Sequence, residues 1–121
     1  MSLPSINNST TKGQLAEQLA CNYLQHQGLT LLDKNYHCRQ GEIDLIMQDK
    51  TTLVFVEVRF RKNNLFGGAS ASVTQKKQHK LHTTALDYLQ KHGKNSNARF
   101  DVIAITGDIK VEHIEWIKNA F

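Results

Sequence analysis

The chain has 121 residues, the length of one domain, and its 40% hydrophobic and 21% charged residues exclude wholesale disorder. Fifteen Lys and Arg against eleven Asp and Glu leave a net charge of +4, which suits a polyanionic partner such as nucleic acid. No apolar run reaches the roughly 18–20 residues of a membrane helix, no basic-then-apolar leader opens the chain, and Cys21 and Cys38 are too few for a disulfide scaffold, so a cytoplasmic protein with no membrane partner is expected.

Residues 1–10 read as a disordered tail, and residues 11–121 as a single domain with no repeat or proline-rich linker. Thr11 to about Gln27 is predicted as a helix. Thr11 and Gln14 have capping-box spacing, Gly28 supplies a stop, and Leu15, Ala16, Leu19, Ala20, Tyr23 and Leu24 recur at helical spacing. Glu17 falls at the border of that apolar half and leans over whatever the helix covers.

Three strands are expected next, at Leu29–Tyr36, Glu42–Gln48 and Leu53–Arg61, with a turn at Asp49-Lys50. Residues 62–73 carry Asn63, Asn64, Gly67 and Gly68 and read as a flexible loop. A second helix runs from Val73 or Thr74 to about Lys91 and is ended by His92, Gly93 and Lys94. Strands at Phe100–Thr106 and Ile109–Ile117 follow around a Gly107-Asp108 turn. The order α-β-β-β-α-β-β predicts an α/β fold, a central mixed sheet flanked by helices in a three-layer-like arrangement.

The segment from Gly41 to Arg61 carries the chemistry. Strand alternation sends Phe55, Glu57, Arg59 and Arg61 to one face and Val54, Val56, Val58 and Phe60 to the other. In the preceding strand, Glu42, Asp44 and Ile46 share one face, and Ile43, Leu45 and Met47 the other. An even loop centred on Asp49-Lys50 places Asp44 opposite Phe55 and Glu42 opposite Glu57. Asp44 and Glu57 then lie on a diagonal of roughly 7–8 Å. An odd loop would break the parity. Converging carboxylates repel and raise each other's pKa unless a cation intervenes. Magnesium (or manganese) suits such a site, because it accepts one or two carboxylates and keeps waters and phosphate oxygens as its other ligands. Such an ion polarises a phosphodiester and acidifies an attacking water. Arg59 would sit beside the phosphate.

Asp44, followed on the next strand by Glu57-Val58-Arg59, resembles the pattern of the PD-(D/E)XK, or restriction endonuclease-like, superfamily. Gly13 with Ala16-Glu17, Gly41 to Ile46, Val54 to Arg59, Phe66-Gly67 and Arg99 to Val102 resemble, more narrowly, the small uncharacterised bacterial YraN-like family. The resemblance spans roughly residues 12–106 and extends to archaeal Holliday-junction resolvases. It implies a metal-dependent endonuclease acting on DNA rather than RNA, with branched DNA as one substrate class. A homodimer would suit a two-fold substrate.

The resemblance also implies roles residue by residue. Asp44, Glu57 and the carbonyl of Val58 match metal ligands, and Glu17 matches a helix-one glutamate near the metal. Gln75 matches a glutamine or lysine position opening the second helix. Arg59 stands where the catalytic lysine is usual. Arginine cannot serve as a base, but it can hold a phosphate in two prongs. A mechanism through metal-bound water survives that exchange. Arg61, Lys76 and Lys77 join Gln75 as expected nucleic-acid contacts.

Plainer readings accompany these. A sheet face bearing Asp44, Glu57 and Arg59 could form ordinary surface salt bridges, and the same constellation without catalysis would make a nucleic-acid-binding module with a vestigial site. Glu42 reads as a surface residue. His79 and His82, one turn apart, have no carboxylate or cysteine at matching spacing for zinc. Trp116 either caps the core or meets a second copy.

Overall fold

The computed structural model describes residues 11–63, 73–92 and 97–121. The tail assigned to residues 1–10, most of the glycine-bearing loop, and Gly93 and Lys94 beyond the second helix lie outside the described residues.

Helix α1 covers Lys12–His26. Its capping box forms: the Thr11 hydroxyl accepts from Gln14 N–H at 3.1 Å, and the Gln14 side chain accepts from Thr11 N–H at 2.8 Å. Gly28, at φ 100°, turns the chain back so that Leu29 N–H reaches the Leu24 carbonyl at 3.0 Å. Strands β1 (Thr30–Cys38), β2 (Gly41–Asp49) and β3 (Thr52–Arg61) follow as antiparallel neighbours. Helix α2 (Gln75–Lys91) carries the chain to β4 (Ala98–Thr106), which pairs parallel to β3, and a short antiparallel β5 (Ile114–Ile117) ends the sheet. The described sheet runs β1-β2-β3-β4-β5.

The two helices cover opposite faces, giving a restriction endonuclease-like α/β core. Leu45, Met47, Val54, Val56, Ile103 and Ile105 pack under α1, against Ala16, Ala20, Cys21 and Leu24. Ile46, Phe55, Phe100, Val102 and Ala104 pack under α2, against Leu81, Ala85 and Tyr88. Both faces of β2 and β3 are therefore dry over much of their length, and their burial reads as runs rather than as alternation. No helix among the described residues is long and apolar enough to cross a membrane.

Three expectations are corrected. The β2–β3 turn is Lys50-Thr51, not Asp49-Lys50. Asp49 still pairs with Thr52, and Lys50 absorbs the reversal at φ 57°, its carbonyl held by the Gln48 side chain at 2.9 Å. The parity survives, but the register moves so that Ile46 faces Phe55 and Leu45 faces Val56. The last strand is only Ile114–Ile117. Before it, Lys110 N–H bonds Asp108 O, His113 N–H bonds Lys110 O, and Val111–His113 winds into a short 3-10 turn, so these residues satisfy their backbone locally. Ile43 does not share a core with Leu45 and Met47. It packs under α2, and Leu45 packs under α1.

That break in alternation has a counterpart on β1. Lys34 and Asn35 reach α1, where their side chains donate to Gln18 and Glu17, whereas Tyr36 turns to α2 and donates to Asp87. Asn35 between them sits at φ 50°, a left-handed conformation that asparagine tolerates better than most residues.

Candidate nuclease-like site

The β2–β3 ladder extends from Asp49↔Thr52 to Leu45↔Val56 and ends there. Beyond that point β2 stays paired with β1, and β3 with β4. At the fork, the Asp44 side chain replaces a backbone acceptor: its Oδ2 takes the N–H of Val58 at 2.8 Å. The N–H and C=O of one strand residue point to the same side, so the Val58 carbonyl is also turned toward β2.

Asp44 is partly buried at this fork, between neighbours that belong to opposite cores. Burial, then the negative charge of Glu57, push its pKa from the ordinary carboxylate value up to about 8. The Val58 N–H opposes that rise, and the charges of Glu17 and Glu42 add to it. Three acidic side chains from two strands and a helix therefore converge electrostatically on Asp44. Glu17 is positioned by α1 and accepts a hydrogen bond from Asn35 Nδ2 at 3.1 Å.

Glu57 is buried, with a side-chain exposure of 8%. Its Oε2 lies 3.4 Å from Lys77 Nζ and 4.0 Å from Arg59 Nη1. Arg59 is 18% exposed, and its Nε is buried without a hydrogen-bond partner among the described residues. Lys77 arrives from the first turn of α2, whose N-cap Thr74 hydroxyl accepts the Lys77 N–H at 3.1 Å. A cleft of about 250 Å³ opens beside Asp44, lined by Gln40, Gly41, Glu42, Lys77 and Lys80.

The structure thus joins Asp44 to Val58, and Glu57 to Arg59 and Lys77, with the charges of Glu57 and Glu17 both felt at Asp44. Gln75 and Lys76 stay exposed at the start of α2. Arg61 lies exposed at the end of β3, with its Nη1 turned back to the Phe60 carbonyl at 3.0 Å. Glu42 is exposed, but its charge is felt by Asp44. Asn35, Gly41 and Lys80 were not among the expected site residues. Each has a local signal: Lys80 belongs to the lysine run of the second helix, Gly41 heads the motif before Asp44, and asparagine tolerates the left-handed region.

Among the described residues no group of three or more His, Cys, Asp or Glu is arranged to hold a metal. The donors present are two carboxylates and a strand carbonyl, the oxygen set that magnesium accepts while keeping several waters. His82 is spent elsewhere, packed on Phe100 and Phe121 at ring distances of 4.5 and 5.8 Å.

Trp116 caps the core. Its Nε1 donates to Asp101 at 2.9 Å, and its ring meets Tyr23 edge-on. Asp101 is fully buried and also accepts from Arg99 Nε at 3.0 Å and Asn119 N–H at 2.9 Å. Arg99 reaches on to Asp49 at 3.1 Å. The Arg99-to-Val102 motif is therefore, in part, a brace that joins the end of β2 to the C-terminal segment.

Comparison with known proteins agrees with the sequence resemblance. The model of the uncharacterised protein family UPF0102 matches residues 16–105. The chain is 55% identical to a UPF0102 protein of Nitrosomonas eutropha over 116 residues, 96% of this chain and 97% of the relative. It is 56% identical to one from Saccharophagus degradans over 111 residues, 90% and 91% of the two chains. With a UPF0102 protein of Psychromonas ingrahamii it shares 53% over 122 residues, 100% of this chain and 98% of the relative. With the family model spanning most of the chain, and such relatives matched nearly end to end, the protein belongs to the YraN-like UPF0102 family.

Proposed function

We propose that the protein is a magnesium- or manganese-dependent phosphodiesterase that cuts nucleic acid, DNA rather than RNA, with branched DNA the first substrate to try. The observation that carries this reading is the fork itself. Asp44 sits where two strands part, within reach of the Glu57 charge, and burial, with that charge added, pushes the Asp44 proton affinity up. Carboxylates gathered at a strand fork, one of them with a strongly raised proton affinity, are the kind of cluster found at functional sites. The free Cys21 and Cys38 support a reducing, cytoplasmic setting. A homodimer is the assembly that fits a two-fold branched substrate.

Asp44, Glu57 and the Val58 carbonyl would hold the cation, which when bound supplies Lewis-acid polarisation and an acidified water. Arg59 donates to the phosphate oxygens and stabilises charge as it develops there. It moves no proton. Glu17, anchored by Asn35, adds negative potential at Asp44. Exposed Gln75 and Lys76 of α2 and Arg61 of β3 contact flanking phosphates.

The test incubates the protein with single-stranded, duplex, flapped and four-way DNA in magnesium, manganese or EDTA, beside Asp44→Ala and Glu57→Ala. Metal-dependent cutting that both variants lose is expected. Cutting that both variants retain, or no cutting with either metal, overturns the reading. Arginine in the lysine position favours a second reading, a non-catalytic binding module. That reading expects salt-dependent nucleic-acid binding that Asp44→Ala leaves intact, and loss of binding in that variant counts against it.

A further inference from the structure

We propose that Lys77 is a displaceable counter-ion of this site: its ammonium holds Glu57 until a divalent cation takes that carboxylate, and it then turns to the nucleic-acid backbone. One side chain thereby couples metal loading to substrate binding. The inference rests on reading Asp44 and Glu57 as the cation's ligands, and goes beyond it by assigning the lysine a part in both steps.

Among the described residues, Glu57 has two cationic neighbours, and they differ in freedom. Arg59 is embedded in β3, with a side-chain exposure of 18%. Lys77 stands on the first turn of α2, with an exposure of 47%, on a four-carbon stem that swings easily. Its ammonium is 3.4 Å from Glu57 Oε2. Magnesium sits at about 2.0–2.1 Å from a carboxylate oxygen, so the two cations would crowd one oxygen. The repulsion falls hardest on the partner that can leave. A lysine pair this exposed is weak, whereas the divalent ion carries twice the charge and gains Asp44 as well.

The lysine has somewhere to go. Lys77 also lines the 250 Å³ cleft beside Asp44, and Lys80 follows it one turn later on the same wall. An ammonium released from Glu57 stays in that cleft, where a phosphodiester bound at the fork would run. With Glu57 neutralised by the metal, Lys77 becomes a free phosphate donor. Without the metal it stays on the carboxylate and contributes little to binding.

Calorimetric titration of Mg²⁺ or Mn²⁺ into wild type, Lys77→Met and Lys80→Met, without nucleic acid, tests this. Lys77→Met is expected to bind the cation about three- to tenfold tighter, and Lys80→Met, which removes the same charge from the same cleft, to change by less than about twofold. In side-chain NMR spectra, saturating Mg²⁺ should move the Lys77 ε-methylene signal and leave that of Lys80 in place. Mg²⁺-saturated Lys77→Met should bind DNA more weakly, with a salt slope lower by about one unit. The proposal is overturned if Lys77→Met binds metal no tighter than wild type, if Lys80→Met gains as much, or if the Lys77 signal does not move. A wild type that binds no cation overturns the metal reading itself. A wild type whose binding is lost in Asp44→Ala but unchanged in Lys77→Met overturns the role of Lys77 alone.

Discussion

Asp44 Oδ2 accepts the backbone N–H of Val58 at 2.8 Å, so a side chain on β2 closes the ladder where the two strands part. The bond holds the carboxylate at the fork against the repulsion of Glu57. Burial and the Glu57 charge, which outweigh that bond, set a pH dependence. Because the Asp44 pKa in the folded protein is raised to about 8, above its unfolded value of about 3.9, folding takes up a proton between those limits. Below pH ~4 the carboxyl is neutral in both states, and stability is lost as pH rises toward 8. Asn in place of Asp44 keeps an acceptor for Val58 and removes the charge. Asp44→Asn should therefore be more stable than wild type at pH 8 in EDTA, by more than about 1 kcal/mol, and match it near pH 4. Magnesium should raise the wild-type melting temperature at pH 8 and leave that of Asp44→Asn unchanged. Equal melting curves at pH 8 would contradict this account.

Arg59 is the site residue whose chemistry departs most from the pattern it resembles. If it serves as a charge-stabilising donor, Arg59→Ala should lower cleavage about 10²–10³-fold. Arg59→Lys, which keeps the charge but loses the fork, should lose less than about tenfold. Kinetics on the best-cut DNA would measure both. Full activity in Arg59→Ala would remove the arginine from the mechanism.

The Asp101 network is structural, and its loss should register as stability alone. Asp101→Ala leaves the Arg99 Nε–H, the Trp116 indole N–H and the Asn119 N–H without their acceptor, while Arg99 keeps its pair with Asp49. Leaving buried donors unsatisfied in this way costs about 2–4 kcal/mol. Urea denaturation would show it, and a loss under about 1 kcal/mol would mean that the network is not holding the C-terminal segment.

Gly41 is needed for the close approach of β2 to α2. A Cβ there would lie 3.0 Å from Thr84 Oγ1, a hydroxyl pinned by its 2.8 Å bond to the Lys80 carbonyl. Gly41→Ala should cost roughly 1–3 kcal/mol by overpacking. Adding Thr84→Ala should recover part of that loss, giving a non-additive double-mutant cycle. Additive losses would show that the contact is not the cause.

Much of the fold was legible because its signals are local. Helical spacing and the Thr11-Gln14 pair marked α1, and the strand-favouring Val54, Phe55, Val56 and Val58 marked β3. The even parity of the β2–β3 ladder survived from Asp49 to Leu45 even though the turn moved by one residue, since both placements leave an even loop, but the ladder ends before Asp44 and Glu57. The last strand was overread because the apolar residues Ile109 and Val111 look like strand, yet their segment satisfies its backbone within itself.

The sequence by itself determined the order of elements, the caps, and the carboxylates and arginine at strand spacing, because each depends on neighbours within one element. Only the tertiary structure decided the rest. The left-handed turn at Lys50 set which residues oppose across β2 and β3, and the parting of those strands exposed Asp44 and Val58 to each other. The crossing of Ile43 to the α2 core, the reach of Lys77 to Glu57 and the convergence of Arg99, Trp116 and Asn119 on Asp101 join residues far apart in the chain. Such contacts follow from how the helices settle on the two faces of the sheet, and no local periodicity encodes that packing.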